Sequence, residues 1–66
     1  MKVKIYYTNW KGETAERIIE PLNLYFGHNE WHPKGQWLLE ATDCIKGEKR
    51  SFAMKDIHYW EQIEKK

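Results

Sequence analysis

The chain opens on a regular alternation of apolar and polar side chains. Val3, Ile5 and Tyr7 share one phase of the pattern, whereas two lysines and Tyr6 occupy the other phase. A period of two is typical of a strand with one face buried. The pattern therefore predicts a first β-strand with Val3, Ile5 and Tyr7 facing the core.

A second apolar stretch predicts two short strands separated by a proline. Gly12 lies in the intervening turn and supplies the positive φ that tight hairpins require. Thr14 to Glu20 is predicted to be the return strand. Pro21 has no amide hydrogen to donate to a ladder, so it either ends this strand or marks a bulge. Leu22 to Gly27 alternates again and predicts a third strand.

The middle of the chain combines an irregular loop with the most apolar strand. His28 to Gly35 contains no periodic pattern and is predicted to be the longest loop. Gln36 to Asp43 is predicted to be a fourth strand, with Trp37, Leu39 and Ala41 together on its buried face.

The last third predicts a hairpin and an ambiguous tail. A turn at Ile45–Glu48 precedes a fifth strand from Lys49 to Met54. Lys55–Ile57 is predicted to be a single helical turn or a bend. The tail from His58 to Lys66 fits either a strand or a short helix, and the spacing of its apolar residues favours the helix slightly.

Short strands separated by glycine-marked turns predict a mainly β fold. We expect one domain over residues 1–66, a small SH3-like or Sm-like barrel of about five strands with a possible short helical turn near the C-terminus. A chain of 66 residues buries only about 60% of its unfolded surface. Large aromatic rings compensate for the short chain, because each can bury on the order of 150–250 Å², and the sequence has four Trp, four Tyr and two Phe. Self-association would bury further apolar surface.

Composition argues against a disulfide-stabilised secreted protein, a membrane protein and a general duplex-binding protein. The single cysteine, Cys44, cannot form an intramolecular disulfide, and no apolar run resembles a signal peptide or a membrane span. We therefore expect a cytoplasmic protein without a membrane partner. Eleven Lys and Arg against ten Asp and Glu argue against broad duplex binding, which needs many uncompensated cations.

The two arginines are the strongest candidates for binding chemistry. Arg17 and Arg50 are the only arginines in the chain, and a planar guanidinium suits bidentate recognition of phosphate or carboxylate. The alternative is that each arginine pairs with a nearby acid such as Glu16, Glu20 or Glu48.

Several aromatic residues fall off the predicted core faces, namely Tyr6, Trp10, Tyr25, Trp31 and Trp60. Exposed rings beside cations can stack on nucleic-acid bases. The alternative is that a small barrel uses these rings as edges of its core or as a dimer interface, since aromatic residues are enriched at interfaces of every kind.

Neither a metal site nor an enzyme is indicated. His28 and His32 flank Glu30 on a loop that Pro33 interrupts, so no helix brings the two imidazoles together. Cys44 has no histidine near it in sequence, and no phosphate-binding glycine motif is present. We expect no cofactor and no catalytic residues.

Four short motifs then identify a family. They are Ile5 with Tyr7, Arg17 with Pro21, the run Trp37–Asp43, and Arg50 with Phe52. In this order and spacing they resemble the WYL domain, a small β-barrel module named for Trp-Tyr-Leu. Two positions depart from the family pattern: Leu38 replaces the tyrosine, and Asp56 stands where an arginine is common.

The resemblance implies a ligand sensor. WYL domains are usually fused to a DNA-binding helix-turn-helix, and nucleic acids and nucleotides are their leading ligand candidates. This chain shows no helix-turn-helix pattern and is similar to short, free-standing versions carried by phages and prophages. The implied role is to sequester a nucleotide signal of host defence in the bacterial or phage-infected cell.

The sequence thus predicts a non-catalytic module that binds an anionic, nucleotide-like ligand or single-stranded nucleic acid. Arg17 and Arg50 would anchor the ligand and Trp37 would support the site from the core. Tyr6, Tyr25 or Trp31 would offer a stacking face. The alternative is a protein-interaction or homodimerisation module that modulates a regulator, and in either case we expect a homo-oligomer, dimeric or higher.

Overall fold

The structure is a computed structural model, and it describes residues 1–28 and 34–63. These residues form one antiparallel sheet with strand order β4-β3-β2-β1-β5. The elements are β1 Val3–Thr8, β2 Thr14–Gly27, β3 Gln36–Asp43, β4 Glu48–Ala53, a 3-10 turn at Met54–Asp56, and β5 Ile57–Gln62. No helix in this part of the chain has the length and apolar character to span a bilayer.

The mainly β prediction is confirmed, as is a short helical turn near the C-terminus. The five strands curl into a compact sheet, but the two edge strands, β4 and β5, are not paired with each other. The fold is therefore an open curled sheet rather than a closed barrel.

The strand β2 corrects one detail of the prediction. Its 14 residues are continuous, so the two strands expected on either side of Pro21 are one. Pro21 pairs with Ala41 and Asn23 pairs with Glu40, which leaves Leu22 as an extra residue in the ladder. Of the two roles predicted for Pro21, the structure therefore shows a β-bulge. The strand continues through the proline.

The C-terminal tail also differs from the expectation. Residues 57–62 form strand β5 and not a helix, and they pair along β1 from Ile57 opposite Tyr7 to Gln62 opposite Val3. The free edge of β1 presents backbone donors and acceptors that a strand satisfies and a helix cannot. Tertiary pairing thus overrides the weak helical spacing of a short segment.

The main hydrophobic cluster lies on one face of the sheet. Its buried members are Val3, Ile5, Tyr7, Ile19, Leu39, Ala41 and Phe52. Leu38 and Ala53, which pair with each other, are also fully buried but lie in the opposite phase of β3 and β4. The predicted alternation along β1 is therefore confirmed, and so is the inward placement of Leu39 and Ala41.

Trp37 is the exception among the predicted core residues. Its phase matches that of Leu39, but 55% of its surface is exposed. The reason is its position near the start of β3, because the pairing of β3 with β4 begins only at Leu38. Trp37 instead makes an edge-to-face contact with Phe26, with ring centroids 5.6 Å apart.

Candidate ligand-binding site

An open cavity of about 630 Å³ lies between the β1–β2 turn and strand β4. Its lining is Tyr7, Asn9, Trp10, Arg17, Glu40, Glu48, Lys49, Arg50, Ser51 and Phe52. The volume lies within the range of about 300–1,000 Å³ that small-molecule pockets occupy. Both arginines singled out in the sequence line this one cavity.

The strand register explains why the two arginines share a cavity. Arg17 lies directly opposite Ile5, and Arg50 lies directly opposite Ala41. Residues directly opposite each other on paired strands point to the same face of a sheet. Because Ile5 and Ala41 belong to the core, both arginines extend from the core face, and the curl of the sheet directs them to one opening.

Aromatic packing supports the inner side of the cavity. The rings of Tyr7 and Phe52 meet edge to face, with centroids 4.9 Å apart at 88°. Burial raises the pKa of Tyr7 above its ordinary value, although a backbone hydrogen bond from Ala53 acts in the opposite direction. Tyr7 is therefore a neutral hydroxyl at physiological pH.

Arg17 is held by the carboxylate of Asp43. The Nη1 atom of Arg17 lies 3.5 Å from Oδ2 of Asp43, and the Arg17 side chain is 20% exposed. This is a single long contact rather than a bidentate pair. The Nε donor of Arg17 is buried without a hydrogen-bond partner. The guanidinium is therefore oriented by the protein, and a single donor contacts Asp43.

Asp43 is itself fixed by the turn that follows it. Its Oδ1 atom accepts hydrogen bonds from the backbone amides of Ile45 and Lys46 at 3.0 and 3.1 Å. Burial alone would raise the pKa of Asp43, but these two amides and Arg17 outweigh it. The pKa of Asp43 consequently lies below its ordinary value, and the carboxylate is charged at neutral pH.

Arg50 has an exposed partner. Its Nη1 atom lies 3.2 Å from Oε1 of Glu48, on the same strand, and both side chains reach solvent. Exposed pairs of this kind contribute about 0–1 kcal/mol. The sequence alternative of ion pairing therefore holds for Arg50 with Glu48, whereas Arg17 pairs with Asp43 and not with Glu16 or Glu20.

The charged lining has a small positive excess. Arg17, Lys49 and Arg50 face Glu40 and Glu48, which is three cations against two anions. Displacing the Arg50–Glu48 contact would leave the two guanidiniums as the dominant donors of the cavity. This arrangement suits a ligand that carries negative charge.

An aromatic residue stands at the rim of the cavity. The Asn9 side chain ties the β1–β2 turn together, because its Oδ1 accepts the amides of Lys11 and Glu13, each at 2.9 Å. The turn places Trp10 on the lining with most of its surface exposed. The Nζ atom of Lys11 lies 5.3 Å from the centroid of the Trp10 ring, within cation–π range.

The other predicted site residues lie elsewhere. Tyr6 alternates with Ile5 and Tyr7, and is therefore on the outer face, opposite Tyr59 of β5. The hydroxyl of Tyr25 reaches across β3 to Ser51 Oγ at 3.2 Å and does not line the cavity.

Two tryptophans complete the account of the predicted site. Trp37 neither lines the cavity nor supports it from the core, because it is exposed beside Phe26. Trp31 lies outside the described residues.

Sequence reasoning missed the residues that form the cavity between the arginines. Tyr7 and Phe52 had been assigned only to the core or to a motif, and Lys49 to a strand. The phase of β1 contained the necessary signal, since Tyr7 and not Tyr6 shares the face of Ile5. Trp10 was recognised as an exposed ring but not as part of the site.

The predicted absence of a metal site stays a prediction. The described residues contain no group of three or more His, Cys, Asp or Glu side chains that could hold a metal ion. Glu30 and His32, two members of the loop cluster considered in the sequence, lie outside the described residues.

Comparison with known proteins adds a family assignment. A sequence model described as the WYL domain matches residues 1–62 of the 66-residue chain. The match confirms the resemblance drawn from the four motifs and spans all five strands. Searches of curated proteins and of solved structures gave no match.

Proposed function

We propose, since this chain belongs to the WYL domain family, that it is a non-catalytic module that binds an anionic, nucleotide-like ligand. The family is often linked to ligand binding and to regulators. The observation that carries the proposal is the placement of Arg17 and Arg50, from separate strands, on one cavity. Single-stranded nucleic acid is the longer form of the same ligand class.

A ligand would compete with the carboxylate that Arg50 already contacts. The exposed Arg50–Glu48 pair contributes about 0–1 kcal/mol. A hydrogen bond to a charged group is worth about 1.5–3 kcal/mol when its donor is positioned. A phosphate that accepts two bonds from Arg50 would therefore replace Glu48 with a net gain.

Arg17 supports the proposal for a different reason. Asp43 holds one end of its guanidinium, so little side-chain entropy remains to be lost when a ligand binds. Only one donor of Arg17 contacts Asp43, and the contact is long at 3.5 Å. The oriented Arg17 and the more exposed Arg50 would then bind one anionic group between them.

A base would have an aromatic surface to stack on. Trp10 lies on the same cavity as the arginines and is 71% exposed. Stacking of a nucleobase on an aromatic ring is worth about 1–3 kcal/mol. In this proposal Trp10 takes the stacking role that the sequence had assigned to Tyr6, Tyr25 or Trp31.

The absence of catalysis is part of the proposal. A binder that sequesters a nucleotide signal, the phage-related role implied by the family resemblance, would release its ligand chemically unchanged. Recovery of the bound nucleotide intact after prolonged incubation would support this role, and accumulation of a hydrolysed product would contradict it.

Thermal denaturation with a ligand panel tests the binding. The panel contains linear and cyclic nucleotides, inorganic phosphate and a short single-stranded oligonucleotide. A ligand at a hundred times its Kd stabilises the fold by about 2.7 kcal/mol and raises Tm by roughly 10 °C or more. The absence of a shift with every member of the panel would contradict the proposal.

Two variants locate the site. Arg50→Ala should abolish the ligand-induced rise in Tm and leave the Tm of the free protein almost unchanged, because the side chain is half-exposed. Lys55→Ala is the matched control, since it removes a cation from another exposed ion pair, Lys55–Asp56, away from the cavity. Equal loss of the response in both variants would point to nonspecific charge attraction.

A second candidate function, protein interaction, is favoured by a separate observation. Several large apolar side chains on β2 and β3 are exposed and do not line the cavity.

A further inference from the structure

The hairpin formed by β2 and β3 extends beyond the rest of the sheet. β1 pairs with β2 only over Thr14–Ile19, and β4 pairs with β3 only from Leu38 onward. We call residues 22–27 of β2 and 36–37 of β3 the hairpin arm. Among the described residues, residues 22–27 pair with β3 alone, and residues 36–37 pair with β2 alone.

The inner face of the hairpin arm is apolar and uncovered. Four side chains of the arm are each more than half exposed: Leu22, Leu24, Phe26 and Trp37. Leu24 lies opposite core residue Leu39, and Phe26 lies opposite Trp37, so three of the four continue the face of the core. The arm thus carries the apolar stripe of the core out into solvent.

The backbone edge of the hairpin arm is also exposed. In residues 1–28 and 34–63, no strand pairs with the side of Leu22–Gly27 that faces away from β3. Proteins usually protect such edges with charged side chains, because unpaired strands associate with other chains.

The three open edges of the described sheet differ in the number of charged side chains that they carry. The β4 edge carries Glu48, Lys49 and Arg50, and the β5 edge carries His58 and Glu61. The arm edge, Leu-Asn-Leu-Tyr-Phe-Gly, carries no charge at all. The segment lacks the charges that prevent pairing at the other two edges.

We propose that the arm edge pairs antiparallel with the same segment of a second copy, forming a two-fold symmetric dimer. An identical strand is the simplest partner, because antiparallel pairing of a segment with itself completes a closed, isologous interface. With the two-fold axis near Leu24, Leu22 of one protomer lies beside Phe26 of its partner. The apolar faces of both arms then join into one surface.

The apolar area of the hairpin arm limits the strength of this dimer. The four half-exposed side chains offer roughly 400 Å² of apolar area, since one fully buried ring accounts for about 150–250 Å². Pairing in the plane of the sheet buries only the part of this area that contacts the partner's arm. Because permanent interfaces bury about 800 Å² per partner, we expect a weak dimer that depends on protein concentration.

Dimerisation through the arm would not close the cavity. None of the arm residues lines it, and Leu24 follows Arg17 by about 23 Å of extended strand. The dimer would therefore present two independent cavities. The inference does not rest on the proposed ligand, and either can fail without the other.

Sedimentation of the full chain under reducing conditions tests the proposal. The wild type should sediment at twice the 8.1 kDa chain mass at micromolar to submillimolar concentration. Leu24→Glu should raise the dimer dissociation constant on the order of 100-fold, because two carboxylates would be buried near the axis. Ile45→Glu is the matched control, since Ile45 is 79% exposed on a distant turn, and this variant should remain dimeric.

Hydrogen exchange of the wild type provides a readout that does not depend on a variant folding. The amides of residues 22–27 should become more protected as protein concentration rises, whereas those of β4 and β5 should not. A monomeric wild type, a trimer or larger ring, or a dimer unaffected by a folded Leu24→Glu would overturn the proposal. Equal dissociation of Ile45→Glu, or concentration-dependent protection at β5 alone, would also overturn it.

Discussion

The guanidinium of Arg17 lies 3.5 Å from the carboxylate of Asp43, joining the first third of β2 to the end of β3. The same carboxylate accepts two backbone amides of the β3–β4 turn. One buried acid, 2% exposed, therefore holds the turn and orients a cation of the candidate site. Stability and binding are linked through this residue.

Removing the Asp43 carboxylate should destabilise the fold. Asp43→Ala leaves two turn amides and Arg17 without their acceptor, and we expect a loss of about 2–4 kcal/mol in the free energy of unfolding. Urea denaturation measures this loss. Glu48→Ala, which breaks the exposed pair with Arg50, should cost no more than about 1 kcal/mol. Similar losses in the two variants would contradict the structural role of Asp43.

The depressed pKa of Asp43 predicts a specific loss of stability in acid. Its contribution is fully present above the ordinary Asp pKa of about 3.9 and disappears as pH falls through the lower value of the folded state. The free energy of unfolding should therefore fall more steeply below about pH 4 in the wild type than in Asp43→Asn. Parallel curves for the two proteins would show that other carboxylates account for the acid sensitivity.

Tyr7 should titrate above the ordinary tyrosine pKa of about 10. Burial raises its pKa, so its stabilising contribution is present below the ordinary value of about 10 and is lost as pH rises through the folded value. Ultraviolet absorbance of tyrosinate should lose its latest-titrating component in Tyr7→Phe. Tyr6→Phe, which alters an exposed ring beside it, should retain that component. Loss of the late component in Tyr6→Phe instead would reverse the assignment of faces along β1.

Gly47 should tolerate substitution poorly. Its φ of 69° lies in the left-handed region, and an alanine there should cost about 1 kcal/mol. Gly47→Asn should cost less, because asparagine visits this region more readily. Gly27→Ala is the control, since Gly27 has an ordinary φ and the added Cβ would meet Tyr25 at van der Waals distance. Chemical denaturation measures the free energy of unfolding of each variant. A larger loss of stability in Gly27→Ala than in Gly47→Ala would contradict this prediction.

Shortening a buried side chain to alanine should destabilise the fold most at the centre of the hydrophobic core. Ile5 on β1 is fully buried, between Arg17 on β2 and Trp60 on β5. Ile5→Ala should cost about 2–5 kcal/mol through lost burial and the cavity left behind. Met54 is only partly buried against the core, so Met54→Ala should reduce the free energy of unfolding by less than Ile5→Ala does. Denaturation midpoints with unchanged slopes would measure both losses.

Local pattern was sufficient wherever a residue's role depends on its neighbours in sequence. The alternation of Val3, Ile5 and Tyr7 determined the buried face of β1, and Gly12 and Gly47 marked turns that do adopt positive φ. The four family motifs were equally local. Each of these signals needs only a few consecutive residues, because side-chain direction and turn geometry repeat over two to four positions.

Which side chains are covered, and which strands lie side by side, could be seen only in the tertiary structure. Trp37 has the phase of a core residue but lies beyond the part of β3 that pairs with β4. Alternation predicted its face without showing that 55% of its surface is exposed. The tail became β5 because the edge of β1 was available to it.

The sequence by itself determined the family, the mainly β class, the inward phase of β1 and the two arginines as the residues of interest. Only the tertiary structure decided that Arg17 and Arg50 share a cavity with Tyr7 and Trp10 rather than with Tyr6 and Tyr25. The physical reason is that strand register and sheet curl set distances between residues far apart in the chain. These depend on the bulge at Pro21 and on long-range pairing, which no short window of sequence encodes.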